Sequence, residues 1–142
     1  MSYLLVLHGT PRPMKTHRDG RGGRKYDPLS SYKKLALAQL QQQCATIGKV
    51  FDCPIRLDVI FEFAPPRSTT KKKSDKMISG EIKHSVRPDI DNTIKVLLDI
   101  LKKCIIKDDA LVYSLQVKKR YSYDPKTIII LTPDEDACNS SE

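Results

Sequence analysis

The sequence predicts a mixed α/β fold, in which one small sheet carries two main helices packed on it. Three observations predict this fold: alternating apolar residues at 55–63, an amphipathic helix after residue 92, and a short apolar run at 127–131. Strand-like and helix-like patterns follow one another in the order β, α, β, loop, α, β, β. A chain of 142 residues is long enough for one core. We therefore expect a single domain over residues 1–131.

Local signals set the elements of the first part of the chain. Tyr3–Leu7 is a short apolar strand that glycine and prolines end. Residues 15–27 are rich in glycine and arginine and predict a mobile basic loop. Pro28 is expected to open a helix over about residues 29–46, which Gly48 ends.

The second part contains the clearest periodicities. Ile55–Phe63 alternates between apolar and polar residues and predicts a strand. A lysine-rich loop is expected over about residues 65–84, followed by a helix over 92–105 and strands over 110–121 and 127–131. One apolar stripe of the helix comprises Ile94, Leu97, Leu98, Leu101 and Ile105. The strand after the helix alternates Leu111, Tyr113, Leu115 and Val117 against polar residues.

The composition argues against membrane and zinc proteins. No apolar run is long enough to cross a membrane, and the first residues lack the features of a signal peptide. We expect a cytoplasmic protein with no membrane partner. The cysteines show no C-x-x-C spacing and the three histidines are scattered, so zinc is not expected and the thiols are expected to be free. These cysteines are Cys44, Cys53, Cys104 and Cys138.

Positive charge is concentrated in two segments of a chain whose net charge is +8. Residues 11–34 hold eight basic against two acidic residues, and residues 65–88 hold seven against two. This pattern favours a nucleic-acid-binding surface, although basic loops can also serve solubility alone. Residues 132–142 contain four acidic and no basic residues and predict a disordered tail. The candidate DNA-binding residues are Lys15, Arg18, Arg24, Lys71, Lys72, Lys73, Arg87, Lys118 and Arg120.

The most informative motif is PDIDN at residues 88–92. On an extended segment, residues two apart point to the same side, so Asp89 and Asp91 can approach one ion. Mg²⁺ takes oxygen ligands at about 2.0–2.1 Å and uses few carboxylates, with water and phosphate completing its coordination. The structural alternative is that Asp91 or Asn92 caps the following helix and that Asp89 is a turn residue.

A second acidic pair, Asp108 and Asp109, follows the helix. A helix over 92–105 spans about 21 Å, so Asp109 can meet Asp91 within one chain only if the connection folds back along the helix. A polar turn is the structural alternative. Lys95 lies one turn after Asp91. The functional interpretation is that its ammonium contacts the scissile phosphate, and the structural alternative is an ion pair with Asp99.

Taken together, these residues resemble the RusA-type Holliday junction resolvases. The resemblance lies in D-x-D-N-x-x-K, then an apolar helix, then K-D-D before a strand that ends in V-K-K-R-Y. The opening G-T-P-R-P-M-K and the later Y-D-P are also similar, so the resemblance spans about residues 3–131. Pro88 stands where some members have a basic residue, and Lys103 or Cys104 where glycine is common, which leaves substrate contacts open.

The resemblance implies a homodimer that binds four-way DNA junctions and cuts two strands symmetrically with Mg²⁺ or Mn²⁺. Asp89, Asp91 and Asp109 match the family's metal-binding acids, which are catalytic, and Asp108 matches the other member of the doublet. Lys95 matches the catalytic lysine. Three alternatives stay open: a non-catalytic accessory protein for branched or single-stranded DNA, a protein-interaction module, and an endonuclease of looser preference.

Overall fold

The chain folds around one four-stranded sheet, as seen in a computed structural model that describes residues 1–15, 18–19 and 25–140. The strand order is β1-β6-β4-β5; β5 runs parallel to β4, and the other neighbours are antiparallel. This architecture confirms the predicted mixed α/β fold with a single main sheet. The elements are β1 (Tyr3–His8), β2 (Arg18–Asp19), β3 (Lys25–Tyr26), α1 (Ser30–Ile47), β4 (Ile55–Phe63), α2 (Lys71–Ile78), α3 (Ile90–Leu101), β5 (Val112–Tyr121), β6 (Lys126–Pro133) and α4 (Glu135–Ser140).

The core lies between the helices α1 and α3 and one face of the sheet. β4 has the predicted bounds and buries alternate residues, and β6 is interior as expected, paired on both sides. Within the predicted stripe, Ile94, Leu97 and Leu101 are buried and Leu98 is partly buried. Ile105 is also buried, but it lies beyond α3, which ends at Leu101 and not at residue 105 as predicted. Burial of each such side chain contributes about 1.5–3 kcal/mol, so α3 is held firmly on the sheet. α1 ends at Gly48, whose φ of 78° is left-handed, as predicted.

The two edges of the sheet differ. On β1, the side-chain amide of Gln43 accepts from the Val6 N–H and donates to its carbonyl oxygen, so α1 covers this edge. β5 forms the other edge, and Tyr113 and Leu115 on it are 65% and 41% exposed.

The predicted lysine-rich loop contains a helix. Residues 71–78 form α2, and the Thr70 hydroxyl caps it by accepting from the N–H of Lys73 at 3.3 Å. Only Ser74 and Met77 of this helix are buried, so its apolar pattern is too weak to predict from sequence. In the predicted loop 15–27, β2 pairs with β3; residues 16–17 and 20–24 lie outside the described part.

The structure describes the chain after Thr132 as far as residue 140, and the disorder expected there stays a prediction. β6 continues to Pro133, where it pairs with Ile55, and α4 follows. The N-terminal ammonium lies 2.7 Å from Oε1 of Glu135, which fixes one end of this helix to the start of the chain. The expectation of four free thiols is also wrong, because Cys53 is disulfide-bonded, whereas Cys44 and Cys104 are free. Across the described residues, no helix is both long and apolar enough to span a bilayer.

Candidate active site

The first turn of α3 presents two carboxylates to solvent. Asp89 is the N-cap residue, with φ −72° and ψ 145°, and Asp91 lies in the first turn. The Asp89 carbonyl oxygen accepts from the N–H and the hydroxyl of Thr93, at 3.1 and 2.8 Å. These bonds start the helix at Ile90, so the prediction that Asp91 or Asn92 is the cap is wrong. Asp91 is helical rather than extended, yet both carboxylates lie at the same helix end.

Neither carboxylate is engaged by another group among the described residues. Asp89 makes no side-chain capping bond, and no hydrogen bond or ion pair in the described part of the chain reaches the carboxylate of Asp89 or Asp91. Both residues are exposed. Their oxygens are therefore available to an external ligand, and they are of the kind that Mg²⁺ prefers.

Lys95 is also exposed and available at this end of α3. The alternative ion pair with Asp99 does not form, because Asp99 lies 3.7 Å from the ammonium of Lys33 on α1 instead. Lys95 is four residues after Asp91, which brings the two onto the same side of the helix. An acid pair with a neighbouring free cation can bind a metal and a phosphate together.

The second acidic pair lies at the other end of α3. Asp108 caps a 3₁₀ turn over Asp109–Leu111 by accepting from the N–H of Ala110 at 3.0 Å. This backbone hydrogen bond is the main cause of the lowered pKa of Asp108. The preceding chain pairs with Phe51 before β4, so the turn lies beside the starts of β4 and β5.

The two acidic pairs do not meet within one chain. α3 spans about 18 Å, with Asp89 and Asp91 at its start and the connection to Asp108 at its end. Accordingly, no group of three or more potential metal-binding His, Cys, Asp or Glu side chains occurs in the described ranges. The roles of Asp108 and Asp109 as metal ligands stay predictions.

Lys119 holds the segment before Asp89, a role that the sequence did not reveal. Its ammonium donates to the carbonyl oxygens of Val86 and Pro88 at 2.6 and 2.9 Å. Lys119 pairs in register with Phe61 and lies on the helix-bearing face of β5. A lysine at the inward-facing position of an alternating strand needs a polar partner, and that was the available signal.

The basic residues predicted to bind DNA fall into several groups. Lys15 is exposed next to Met14, whose N–H donates to the Asn92 carbonyl at 2.8 Å, so it lies near the start of α3. Lys71, Lys72 and Lys73 form the exposed first turn of α2.

The remaining predicted DNA contacts are less uniform. Arg87 and Lys118 are exposed, whereas Arg120 is bound to the buried Glu62 at 2.7 Å and so stabilises the fold. Arg18 lies in β2, and Arg24 falls outside the described residues.

These features first define a class: a small basic α/β protein that presents an unengaged carboxylate pair and a free lysine at one helix end. Residues 6–132 match the model of the family described as "Endodeoxyribonuclease RusA". The chain therefore belongs to the RusA endodeoxyribonuclease family, as its motifs predicted. It is also similar to the "Uncharacterized protein YqaN" of Bacillus subtilis (strain 168), with 32% identity over 135 residues that cover 89% of this chain and 93% of that protein. Family membership supports nuclease activity.

Proposed function

We propose that this protein is a divalent-metal-dependent endonuclease that resolves four-way DNA junctions as a homodimer, by one cut in each of two strands. The observation that carries the proposal is the pair Asp89 and Asp91, exposed and unengaged at the start of α3 beside the free Lys95. The net charge of +8 makes unpaired carboxylates unusual on this surface and complements a polyanion.

The donor set fits a hard divalent cation. Asp89 and Asp91 offer carboxylate oxygens, and Asp109 with Asp108 would supply further oxygen ligands, so Mg²⁺ is the favoured metal and Mn²⁺ a substitute. A cation held there would stabilise the negative charge that develops on the phosphate during hydrolysis. Two carboxylates from one chain leave such a site incomplete, which makes the source of the third ligand important.

The protein's own side chains would orient and neutralise the substrate. Lys95, on the same side of α3 as Asp91, would contact the scissile phosphate and stabilise the charge on the leaving oxygen. Lys119 keeps the segment before Asp89 in place through two hydrogen bonds. Because α3 is anchored by buried residues, the acids project from a rigid element, as accurate positioning requires.

A second copy of the chain would complete the site. β5 runs from the end near Asp109 to the end near Asp89, because Val112 pairs with Ile55 and Lys119 contacts Pro88. If β5 pairs antiparallel with β5 of the partner subunit, the beginning of one strand lies against the end of the other. Asp109 of the partner subunit then approaches Asp89 and Asp91, and the same contact occurs twice.

The exposed edge of the sheet supports this mode of pairing. β5 is a ten-residue edge strand whose outer side has no neighbour among the described strands, and it carries the exposed apolar residues Tyr113 and Leu115, whereas Gln43 already covers the edge at β1. A long unprotected edge of this kind favours association with another strand. A two-fold dimer with two sites also matches the two-fold symmetry of a junction that is cut in two strands.

Exposed basic groups on several elements would contact the phosphates of the junction arms. Lys15, Arg87 and the first turn of α2 are exposed, as is Lys118 on the outward face of β5. Arg18 and Arg24 remain predicted contacts of the same kind. Such contacts position the DNA without reading its sequence, and they make the affinity strongly dependent on salt.

The proposal is tested by the variant Asp91→Asn. We expect loss of Mg²⁺-dependent cleavage of a synthetic four-way junction, with junction binding in Ca²⁺ unchanged, because the charge removed is needed for the metal and not for the phosphates. Asp99→Asn is the matched control, since Asp99 lies on the same helix but pairs with Lys33. Cleavage by Asp91→Asn at the wild-type rate would overturn the proposal. A wild-type protein that binds junctions in Mg²⁺ without cutting them would instead favour an accessory DNA-binding role.

A further inference from the structure

A cavity of about 480 Å³, here called the basic cavity, lies between the turn after α2 and the end of β5. Three exposed cations line it: Lys83, Lys118 and Arg120. Glu62 of β4 is the only acid among the described residues of its wall. The cavity therefore concentrates positive charge on a concave surface, whereas the lysines of the first turn of α2 are simply exposed.

The acid in the wall does not offset this charge, because it is already engaged by cations. Glu62 is 4% exposed; the Nε–H of Arg120 donates to its Oε2 at 2.7 Å, and the ammonium of Lys126 lies 3.0 Å from its Oε1. No other hydrogen bond or ion pair of Arg120 occurs in the described part of the chain. Glu62 thus holds the guanidinium in place and leaves its other N–H groups available to a ligand.

The two lysines are positioned by the backbone. Gly80, with a left-handed φ of 86°, reverses the chain after α2, and the Ile82 N–H donates to the Lys76 carbonyl oxygen at 3.1 Å. The ammonium of Lys83 lies over this turn, 3.9 Å from where a Cβ on Gly80 would be. Lys118 extends from the outward face of β5. Within the described ranges neither lysine forms an ion pair, so both charges are available.

The basic cavity adjoins the segment that carries the acid pair. Lys119 also lines it, but its ammonium donates to the carbonyl oxygens of Val86 and Pro88 and is not offered to a ligand. Asp89 follows Pro88 directly. One side chain therefore connects the wall of the cavity to the start of α3.

A phosphate group fits this set of donors. Its oxygens can accept from the planar fork of an arginine and from two ammonium groups at once, and its charge relieves the repulsion among the three cations. A cavity of about 480 Å³ has room for a phosphate together with the sugar that carries it. A neutral ligand would leave the cations unpaired.

We propose that the basic cavity binds one phosphate of the DNA strand that is cut, at a position other than the cleaved phosphate. This inference rests on the proposed function, because the acids hold the cleaved phosphate and the cavity holds a second one in the same strand. Arg120 contacts the phosphate through its free N–H groups, and Lys83 and Lys118 neutralise it. Two fixed points on one strand set the direction in which that strand crosses the acids.

The test combines a scan of the DNA with one double variant. Four-way junctions are made in which one phosphate at a time near the crossover is replaced by an uncharged methylphosphonate, and binding is measured in Ca²⁺. Wild-type protein should be sensitive at several positions, each by about tenfold. Lys83→Gln combined with Lys118→Gln should lose sensitivity at one position in each cut strand and keep it at the others, because a contact that is already missing cannot be lost again.

Lys76→Gln is the matched control, since Lys76 is exposed on α2 but does not line the cavity. It should keep the sensitivity at the position where the double variant loses it. A double variant that keeps every sensitivity of wild type would overturn the inference. Stabilisation of wild type but not of the double variant by a nucleoside triphosphate, with no position lost in the scan, would assign the cavity to a free nucleotide and would also overturn it.

The two proposals fail in different ways. If wild-type protein cuts the junction in Mg²⁺ but the double variant keeps every sensitivity, the assignment of the basic cavity is wrong and the proposed function stands. If the intact junction is neither bound nor cut, both are wrong.

Discussion

Lys119 donates a hydrogen bond of 2.9 Å to the carbonyl oxygen of Pro88, the residue directly before Asp89. A second bond, of 2.6 Å, reaches the carbonyl of Val86. The cation therefore ties the inward-facing side of β5 to the segment that carries the first acid. Its neighbour Lys118 pairs in register with Ile60 and is exposed on the opposite face of the sheet. Two adjacent lysines thus have different surroundings and should have different roles.

The first prediction separates positioning from phosphate binding. Lys119→Met should lower the rate of junction cleavage at saturating DNA by about 10–100-fold, because a small displacement of Asp89 would misplace a proposed ligand of the metal. Its junction affinity in Ca²⁺ should change little. Lys118→Met is the matched control and should show the opposite pattern, with weaker binding and a nearly normal maximal rate. Equal effects of both variants on affinity alone would contradict the positioning role.

The lysines of α2 give a prediction about salt dependence. Lys72→Gln combined with Lys73→Gln should reduce the slope of log affinity against log salt by about one unit for each phosphate that the variant no longer binds. Affinity should fall by a similar factor for junctions of any sequence, since binding to phosphates carries no sequence information. Lys49→Gln is the control, because Lys49 contacts the rings of Tyr3 and Phe51 before β4, whereas α2 follows the other end of β4. An unaltered slope in the double variant would rule out α2 as a DNA-binding element.

His84 predicts a specific dependence of stability on pH. Burial, and then Lys119, lower the pKa of His84 below its ordinary 6.5, so the folded protein keeps the imidazole neutral where the unfolded chain takes up a proton. The free energy of unfolding should therefore fall as the pH drops from about 6.5 to the lower pKa of the folded state. Above 6.5 this contribution is fully present.

Urea denaturation between about pH 5 and pH 8 checks this prediction. The His84→Phe variant lacks the titration, so the difference in unfolding free energy between it and wild type should change in this interval and be constant above it. Carboxylates titrate in both proteins and cancel in the difference. A difference that stays constant throughout the interval would show that His84 is not buried as a neutral ring.

The sequence predicted the elements that have strong periodicity and missed those that depend on tertiary contacts. β4 and the buried stripe of α3 follow from alternation and helical spacing, and both were predicted correctly. α2 has little apolar pattern, and the cap at Thr70 is the only strong local signal for it. Asp89, Asp91 and Asn92 are all of residue types that cap helices. Asp89 is the N-cap in the structure, where the hydroxyl of the buried Thr93 donates to its carbonyl oxygen.

The sequence predicted which residues form the candidate site, but it did not predict how they are arranged in space. The D-x-D-N-x-x-K spacing identified Asp89, Asp91 and Lys95, which do share one helix end. β5 runs antiparallel to α3, so Asp109, which precedes β5, lies far from Asp89 in the same chain. The direction of a strand relative to a helix could not be predicted from the sequence. Tyr113 and Leu115 are exposed on β5, which lies at the edge of the sheet. Alternation predicts a strand but not its place in the sheet.

We propose that each metal site takes Asp91 from one subunit and Asp109 from the other. Asp91→Asn and Asp109→Asn should each be inactive alone. Co-expressed and purified as the mixed dimer by two different tags, they should regain about half the strand-nicking rate of wild type, because one of the two sites is then complete. Nicking of single strands is the readout, since one site cannot make paired cuts. A mixed dimer as inactive as either variant alone would show that both acids must come from the same chain, and would contradict the account.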